Sequence, residues 1–208
     1  MVFSNNLLMG AGGQASGYKI DQSIRFNDND SAILERDGFG QSPTSSTDCT
    51  FSVWVKRGNF GSYQVMLYGG NPAGSTAESI RFDNDEDLRI GQASSAYDLK
   101  TDQKFRDIGA WYHIVVAFDT DNGTSGDRIK VYVNNDRVTG FSTETYPSSG
   151  YSTNFTANSS SVEHVLGANS SSGPASQFFD GYMAEINFID GQALTPASFG
   201  ETNTDGVW

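Results

Sequence analysis

The sequence predicts an all-β protein, an antiparallel β-sandwich, and three observations support this prediction. Short runs rich in β-branched and aromatic residues alternate in polarity with a period of two. Clusters of Gly, Asn, Asp and Ser separate these runs, and no amphipathic helix longer than two turns appears. The 208 residues, of which 37% are hydrophobic, suffice for the core of one domain. We assign residues 18–208 to that domain and residues 1–17 to an N-terminal arm.

Five runs are predicted to be strands, and one site near the C-terminus is predicted to be a short helical turn. The strands are Thr50–Arg57, Tyr63–Tyr68, Trp111–Asp119, Arg128–Val133 and Tyr182–Ile189. Trp111–Asp119 is apolar on both of its faces, which predicts a central strand that is covered on both sides. Thr195 followed by Pro196 is typical of the start of a helical turn, and Gly200 would end it.

The charge balance restricts the class of partner. Acidic residues outnumber basic residues by 25 to 13, which gives a formal net charge of −12 at pH 7. Such a chain repels nucleic acid backbones and anionic lipid surfaces, so we expect neither nucleic acid nor a membrane as a partner. The first nine residues, MVFSNNLLM, lack a basic export signal, so Sec export is not expected. The single cysteine, Cys49, excludes an intrachain disulfide.

Two sets of carboxylates are candidates for the paired catalytic acids of a glycosidase, which must lie on the same face of a strand. The first set, Asp83, Asp85 and Asp87, follows a strand-like run and is interpreted as a turn. In the second set, the separation of Glu185 from Asp190 places the two acids on opposite faces of a regular strand. We therefore expect that the protein is not an enzyme and has no catalytic residues.

The acidic run Asp119–Asp127 supplies candidate metal ligands. Asp119, Asp121 and Asp127 carry the hard oxygen atoms that calcium prefers. The run lacks the glycine and the glutamate of an EF-hand loop, because Thr124 and Lys130 occupy those positions. Hairpin-turn chemistry is the favoured interpretation, no cofactor is expected, and bound calcium is the open alternative.

Two further segments contain candidate contact residues. Residues 142–177 are dominated by Ser, Thr, Asn and Gly, and within them Tyr146, Tyr151, Asn154 and Phe155 suit either polyol recognition or a protein interface. The N-terminal arm is polar apart from a few apolar residues, which form a candidate protein interface that orders on a partner. These residues are Phe3, Leu7, Leu8 and Met9.

Four runs, found in the order Ser52–Gly58, Ala110–Val116, Ile129–Asn134 and Phe179–Ile186, resemble the laminin-G-like branch of the concanavalin A-like lectin/glucanase superfamily. The chain departs from the pattern of that branch at Asn135, where glycine is usual, and asparagine tolerates the positive φ of such a turn. The resemblance implies a jelly roll. Lectins, hydrolases and structural parts all occur on this fold.

The runs FSNNLLMG, KFRDIGAWYHIVVAFDT and DGYMAEINFIDGQALTPASFGETNTDGVW resemble virion proteins of marine bacteriophages, often tail or fibre proteins. This resemblance implies a virion surface protein, made in the host bacterial cytoplasm, that acts as a lectin-like module for adhesion to host-surface glycans. The alternative is a capsid decoration protein or other structural virion protein that acts through protein–protein contacts. The partners expected are other virion proteins, further copies of this chain on the particle and a bacterial cell-surface glycan.

Overall fold

The fold is an antiparallel β-sandwich. The computed structural model describes residues 20–37, 42–71, 76–92, 95–170 and 176–208. The predicted interface residues Phe3, Leu7, Leu8 and Met9 lie outside the described residues. The strands are β1 Ile24–Phe26, β2 Leu34–Asp37, β3 Asp48–Arg57, β4 Gln64–Gly70, β5 Glu78–Phe82, β6 Asp87–Gln92, β7 Asp98–Lys104, β8 Tyr112–Asp119, β9 Ile129–Val133, β10 Asp136–Arg137, β11 Phe141–Thr145, β12 Glu163–Leu166 and β13 Gly181–Asp190.

The strands form two sheets in which every pair of neighbours is antiparallel. The six-stranded sheet has the order β1-β13-β3-β8-β9-β10, and the seven-stranded sheet has the order β11-β7-β6-β5-β4-β12-β2. Helical structure within the described residues is limited to single 3-10 turns, at Asp28–Asp30, Ser125–Asp127, Asn154–Thr156 and Pro196–Ser198. The part of the chain that the structure describes contains no helix long and apolar enough to cross a membrane. The predicted all-β sandwich is confirmed.

The core lies between the inner faces of the two sheets and follows the alternation in the sequence. In β3, Phe51, Val53 and Val55 are at most 2% exposed and face the core. The matching inner residues of the seven-stranded sheet include Ile80 and Phe82 of β5. All five predicted strands are confirmed, with ends that shift by at most two residues.

Strand β8 is a central strand that is buried on both faces, as the sequence predicts. Ile114 packs in the core, while His113, Val115 and Ala117 point outward and are also buried. The chain after β13 returns over this outer face, where the Thr50 hydroxyl donates a hydrogen bond to the carbonyl of Gln192. The helical turn predicted near the C-terminus is confirmed at Pro196–Ser198, directly after Thr195.

The hairpin between β9 and β10 explains why Asn135 can replace the glycine that is usual at this position in the laminin-G-like pattern. Asn134 and Asn135 both have positive φ angles, of 49° and 76°. Two consecutive residues in this region are what a two-residue type I′ hairpin turn requires, and asparagine tolerates the conformation better than most residues. The turn therefore forms without glycine.

Candidate functional site

The segment 142–177, which contains the candidate contact residues, is hydrogen-bonded to a buried carboxylate on β5. Glu78 accepts hydrogen bonds from the Tyr151 hydroxyl at 2.6 Å and the Asn154 backbone N–H at 3.1 Å. It also accepts a hydrogen bond of 2.5 Å from the Thr153 hydroxyl. Burial raises the pKa of Glu78, while these donors act in the opposite direction. Tyr151 and Asn154 therefore anchor the loop to the sandwich.

The other two predicted contact residues occupy different environments. Phe155 is 1% exposed and packs edge-on against Phe118 with ring centroids 5.6 Å apart, so the expectation of an accessible aromatic ring is wrong for this residue. The Ser-, Thr- and Asn-rich sequence around Phe155 predicted a surface position, but Phe155 is a core residue. The Tyr146 hydroxyl donates a hydrogen bond of 3.0 Å to Glu144, and its ring lies beside Gly126. Tyr146 therefore does not join the cluster around Glu78.

The candidate calcium ligands are held in hairpin-turn contacts. Asp119 accepts a hydrogen bond from the Asn122 side chain at 2.8 Å, and Asp121 accepts one from the Thr47 hydroxyl at 3.0 Å. Asp127 pairs with Arg137 at 2.7 Å. No group of three or more His, Cys, Asp or Glu residues within the described ranges is placed to hold a metal ion. These contacts agree with the hairpin interpretation.

Of the carboxylates weighed as glycosidase acids, Asp83, Asp85 and Asp87 converge on Lys100 Nζ, at 3.9, 2.8 and 3.0 Å. Residues 83–86 form a turn in which the Asp83 N–H bonds to the carbonyl of Asp87, so the turn interpretation is confirmed. Glu185 has a φ of 47° and lies at a bulge in β13, which breaks the regular alternation assumed for that strand. Asp190 instead accepts hydrogen bonds from the backbone N–H groups of Thr44 and Ser45.

The outer side of the seven-stranded sheet presents a patch of charged residues on β5, β6 and β7, which we call the charged face. Because Ile80, Leu88 and Leu99 point into the core, the residues that alternate with them point outward. The register places Arg81 opposite Arg89 and Arg89 opposite Lys100. The charged face consists of Ser79, Arg81, Asp83, Arg89, Gly91, Asp98 and Lys100.

Carboxylates stabilise this row of neighbouring cations. The Nε and Nη2 atoms of Arg89 donate hydrogen bonds of 2.7 and 2.6 Å to the two oxygens of Asp98. Asp83, only 2% exposed, bridges the arginines, with Arg81 Nε at 2.8 Å and Arg89 Nη1 at 3.2 Å. Hydrogen bonds with Asp98 raise the pKa of Arg89. Like charges placed side by side are destabilising, so these bridges are what permits the row to form.

A glycine on the middle strand lies next to Arg89 in the charged face, and an aromatic ring borders the face. Gly91 lies between Ser79 and Asp98 in the register, and a Cβ there would come within 3.2 Å of Asp98 Oδ1. The Tyr63 ring, 39% exposed, packs against the Arg81 guanidinium with 5.5 Å from its centroid to Cζ. Gly91 is therefore buried beside the Arg89–Asp98 pair, and an exposed ring lies at one side of the face.

The charged face continues into a covered apolar region on β4 and β12. Val65, Tyr68 and Val165 point to the same side and form a small buried cluster with Ala168, against which Phe178 packs. Desolvation raises the pKa of Tyr68 to about 12. The outer surface is therefore covered over β4 and β12 and charged over β5, β6 and β7.

The charged face supplies donors and acceptors at fixed positions a few ångströms apart. Guanidinium groups only donate and carboxylates only accept, whereas a hydroxyl does both. Neighbouring hydroxyls of a polyol can thus bond to an arginine and an aspartate together, and an exposed aromatic ring can pack on the apolar side of the same ligand. This surface was not predicted from the sequence. The alternation of Ser79, Arg81 and Asp83 with Ile80 and Phe82 was the signal that could have found it.

Comparison with known families explains the architecture around this surface. The sequence profile described as the concanavalin A-like lectin/glucanases superfamily, laminin G type, matches residues 22–198. The chain belongs to this superfamily. No curated protein sequence matches it.

Solved structures share the fold of this superfamily member at low sequence identity. A heptameric SAP-like pentraxin from Limulus polyphemus superposes with a TM-score of 0.55 and 18% identity, over 88% of this chain and 77% of that chain. A putative carbohydrate binding protein from Bacteroides ovatus gives 0.58 and 13%, over 86% and 46%. The Ruminococcus gnavus IT-sialidase CBM40 bound to α2,3 sialyllactose gives 0.53 and 15%, over 79% and 95%. The chain therefore has the fold of lectins and carbohydrate-binding modules.

Proposed function

We propose that the protein is a non-catalytic glycan-binding module and that the charged face is its binding surface. The observation that supports this proposal is the interlocked set of Arg81, Asp83, Arg89 and Asp98. Because each charged group is already held by its neighbours, little side-chain freedom is lost when a ligand binds. Hydrogen bonds to charged groups are also stronger than those between neutral groups.

The comparisons support glycan binding at a coarse level. One structural neighbour is a putative carbohydrate binding protein, and another is a carbohydrate-binding module bound to a sialyllactose. On the charged face every cation has a carboxylate partner, which suits hydroxyl groups. We therefore propose a glycan recognised mainly through its hydroxyls.

The finer proposal is that this module belongs to a bacteriophage virion, as part of a tail or fibre that adheres to host-surface glycans. Its support is the resemblance of the runs FSNNLLMG, KFRDIGAWYHIVVAFDT and DGYMAEINFIDGQALTPASFGETNTDGVW to phage virion proteins. In this proposal the protein is made in the host bacterial cytoplasm, assembles with other virion proteins and is present in several copies on the particle.

The second candidate is a capsid decoration or other structural virion protein, and exposed apolar residues at one sheet edge favour it. Ile24 of β1 is 44% exposed and Tyr182 of β13 is 40% exposed, on neighbouring strands of the six-stranded sheet. Exposed apolar residues at a sheet edge suit a protein–protein contact. In this alternative the binding surface is that edge, and the charged face has no ligand.

A glycan array with the full chain tests the first proposal, and Arg137 provides a matched control. Arg89→Ala removes a cation from the charged face, whereas Arg137→Ala removes an exposed cation paired with Asp127 elsewhere. With an array of bacterial surface polysaccharides, we expect wild-type binding, at least a tenfold loss in Arg89→Ala and no change in Arg137→Ala. Absence of binding to every glycan, or equal losses in both variants, would contradict the proposal.

Cryo-EM of the intact particle separates the two virion candidates. A few copies at a tail or fibre tip, with the charged face directed outward, support the adhesion proposal. Many copies on the capsid lattice, contacting it through Ile24 and Tyr182, support the decoration alternative.

A further inference from the structure

The segment that follows the last helical turn, residues 201–208, reaches the outer face of the six-stranded sheet, and we call it the strap. Residues 201–207 are all exposed. The strap is closed by its own hydrogen bonds, in which the side-chain oxygen of Asn203 accepts from the backbone N–H groups of Asp205 and Val207, at 3.0 and 2.8 Å. The fold of the strap is therefore local and does not depend on the sandwich.

One side chain, Trp208, joins the strap to the sandwich. Its indole ring stacks on the His113 imidazole, with ring centroids 5.6 Å apart and 20° between the ring planes. The indole Nε1–H donates a hydrogen bond of 2.8 Å to His113 Nδ1. This is the only hydrogen bond between the strap and the described part of the sandwich. A segment with an exposed backbone and a single buried contact opens at a low cost in free energy.

The surface beneath Trp208 is shaped to hold a flat ring. The His113 imidazole is itself stacked on the Trp54 ring, with centroids 4.9 Å apart and 20° between the planes, so it forms a supported platform. Gly200 borders the indole at another side, and a Cβ there would come within 2.9 Å of Trp208 Cζ2. A glycine at this position therefore leaves the room that the indole ring needs.

The same surface offers a hydrogen-bond acceptor at a fixed position. An indole N–H can only donate, so His113 Nδ1 is the nitrogen of the neutral imidazole that carries no hydrogen. His113 Nε2 therefore carries the hydrogen and donates it to the Ser52 hydroxyl, at 2.9 Å. Both residues are at most 1% exposed. Because this buried bond fixes the tautomer, Nδ1 remains an acceptor when Trp208 moves away.

We propose that this surface is a second binding site, which takes a small planar aromatic ligand with an N–H donor, and that Trp208 fills it when the strap is closed. When the strap opens, the ligand stacks on His113 and donates to Nδ1 in place of Trp208. Ligand and Trp208 compete, so the apparent affinity falls with the fraction of molecules in which the strap is open. The site lies on the other sheet from the charged face and does not require that face to bind a glycan.

Titration of the full chain with indole and with benzofuran tests this proposal, because the two molecules have nearly the same shape and only indole has an N–H. Binding is followed at pH 7 by the NMR signals of the His113 ring. Trp208→Ala removes the occupant, and Trp208→Phe keeps a ring but loses the N–H donor. The control is Val207→Ala, which changes a strap residue that is 60% exposed.

We expect indole to bind Trp208→Ala at least about tenfold more tightly than the wild type or Val207→Ala, with Trp208→Phe between them. Benzofuran should bind Trp208→Ala about fivefold more weakly than indole does, since it cannot donate to Nδ1. Absence of indole binding to Trp208→Ala, equal indole affinities in all proteins, or equal affinities of the two probes would overturn the proposal. If Trp208→Ala does not fold, the comparison of Trp208→Phe with the wild type decides in the same way.

Discussion

The outer faces of the two sheets are built in opposite ways. On the six-stranded sheet, Ser52 and His113 point outward and are at most 1% exposed, because the chain after β13 covers them. Trp54, His113 and Trp208 stack in that order, with ring centroids 4.9 and 5.6 Å apart. On the seven-stranded sheet, the outward residues of β5 to β7 are charged, and Arg89 keeps 31% of its side chain exposed.

The difference shows which face is available to a ligand. Neutral and aromatic outward residues gain stability when the chain itself covers them. Paired charges gain little from such cover, because burial removes their hydration. The first face therefore contributes to the stability of the fold, whereas the charged face keeps the side chains of Arg81 and Arg89 partly exposed, at 20% and 31%. Substitutions on the covered face should therefore lower stability, and substitutions on the charged face should lower ligand binding.

The largest loss of stability is expected from a substitution at His113, on the covered face of the six-stranded sheet. The Trp208 Nε1–H donates to His113 Nδ1 at 2.8 Å, and Nε2 lies 2.9 Å from the Ser52 hydroxyl. His113→Ala removes both bonds and the stack, so the free energy of unfolding in urea should fall by about 3 kcal/mol. Arg89→Ala, on the charged face, should cost about 1 kcal/mol. Equal losses of unfolding free energy in the two variants would contradict the proposed difference between the covered face and the charged face.

The same histidine predicts a pH dependence of stability. Burial lowers the pKa of His113 to about 4, from an ordinary value of 6.5. Between these two pH values the unfolded chain binds a proton that the folded chain does not, so the stabilisation present above pH 6.5 is lost as the pH falls to about 4. The loss should approach about 3 kcal/mol, since each unit of pKa corresponds to about 1.4 kcal/mol.

His113→Gln isolates this contribution from that of Glu78. Burial raises the pKa of Glu78, so its contribution to stability changes with pH in the opposite direction. Both proteins retain Glu78, and the difference between their urea unfolding curves from pH 7 to pH 4 therefore reports His113 alone. A difference that does not change with pH would show that His113 does not titrate in this range.

Most of the fold of this protein could be predicted from its sequence. The alternation of Phe51, Val53 and Val55 predicted the core face of β3, and the doubly apolar run around Ile114 predicted the central position of β8. Local patterns determine which side of a strand is apolar, so both predictions are confirmed. The hydrogen bond between Trp208 and His113 joins residues 95 positions apart, so local spacing could not predict it.

The candidate site was predicted poorly, for two physical reasons. Asp83 was correctly placed in a turn, but its role as a bridge between Arg81 and Arg89 depends on the register of neighbouring strands, which one sequence does not reveal. Phe155 was judged accessible from its polar neighbours, yet a single large ring in a polar loop can still insert into the core.

A smaller effect on stability is expected for Asp83→Asn. The change removes the negative charge shared by Arg81 and Arg89, so two adjacent cations lose their common counterion. We expect the free energy of unfolding to fall by about 1–2 kcal/mol, with part of the loss recovered in 1 M NaCl. The control is Asp127→Asn, whose partner Arg137 is largely exposed and which should cost less than about 0.5 kcal/mol.

The smallest effect on stability is expected for Tyr63→Ala, at the border of the charged face. Tyr63 is 39% exposed and packs on the Arg81 guanidinium, so its removal should change the free energy of unfolding by at most about 1 kcal/mol. If the charged face binds a glycan, the loss of the ring should nevertheless weaken that binding about tenfold, since ring packing on a ligand is worth about 1 kcal/mol or more. Trp111→Ala, which removes a ring that is 37% exposed outside the charged face, is the matched control. A weaker glycan affinity in Tyr63→Ala with unchanged affinity in Trp111→Ala would separate binding from stability on the charged face, whereas equal affinities in both would place the ligand elsewhere.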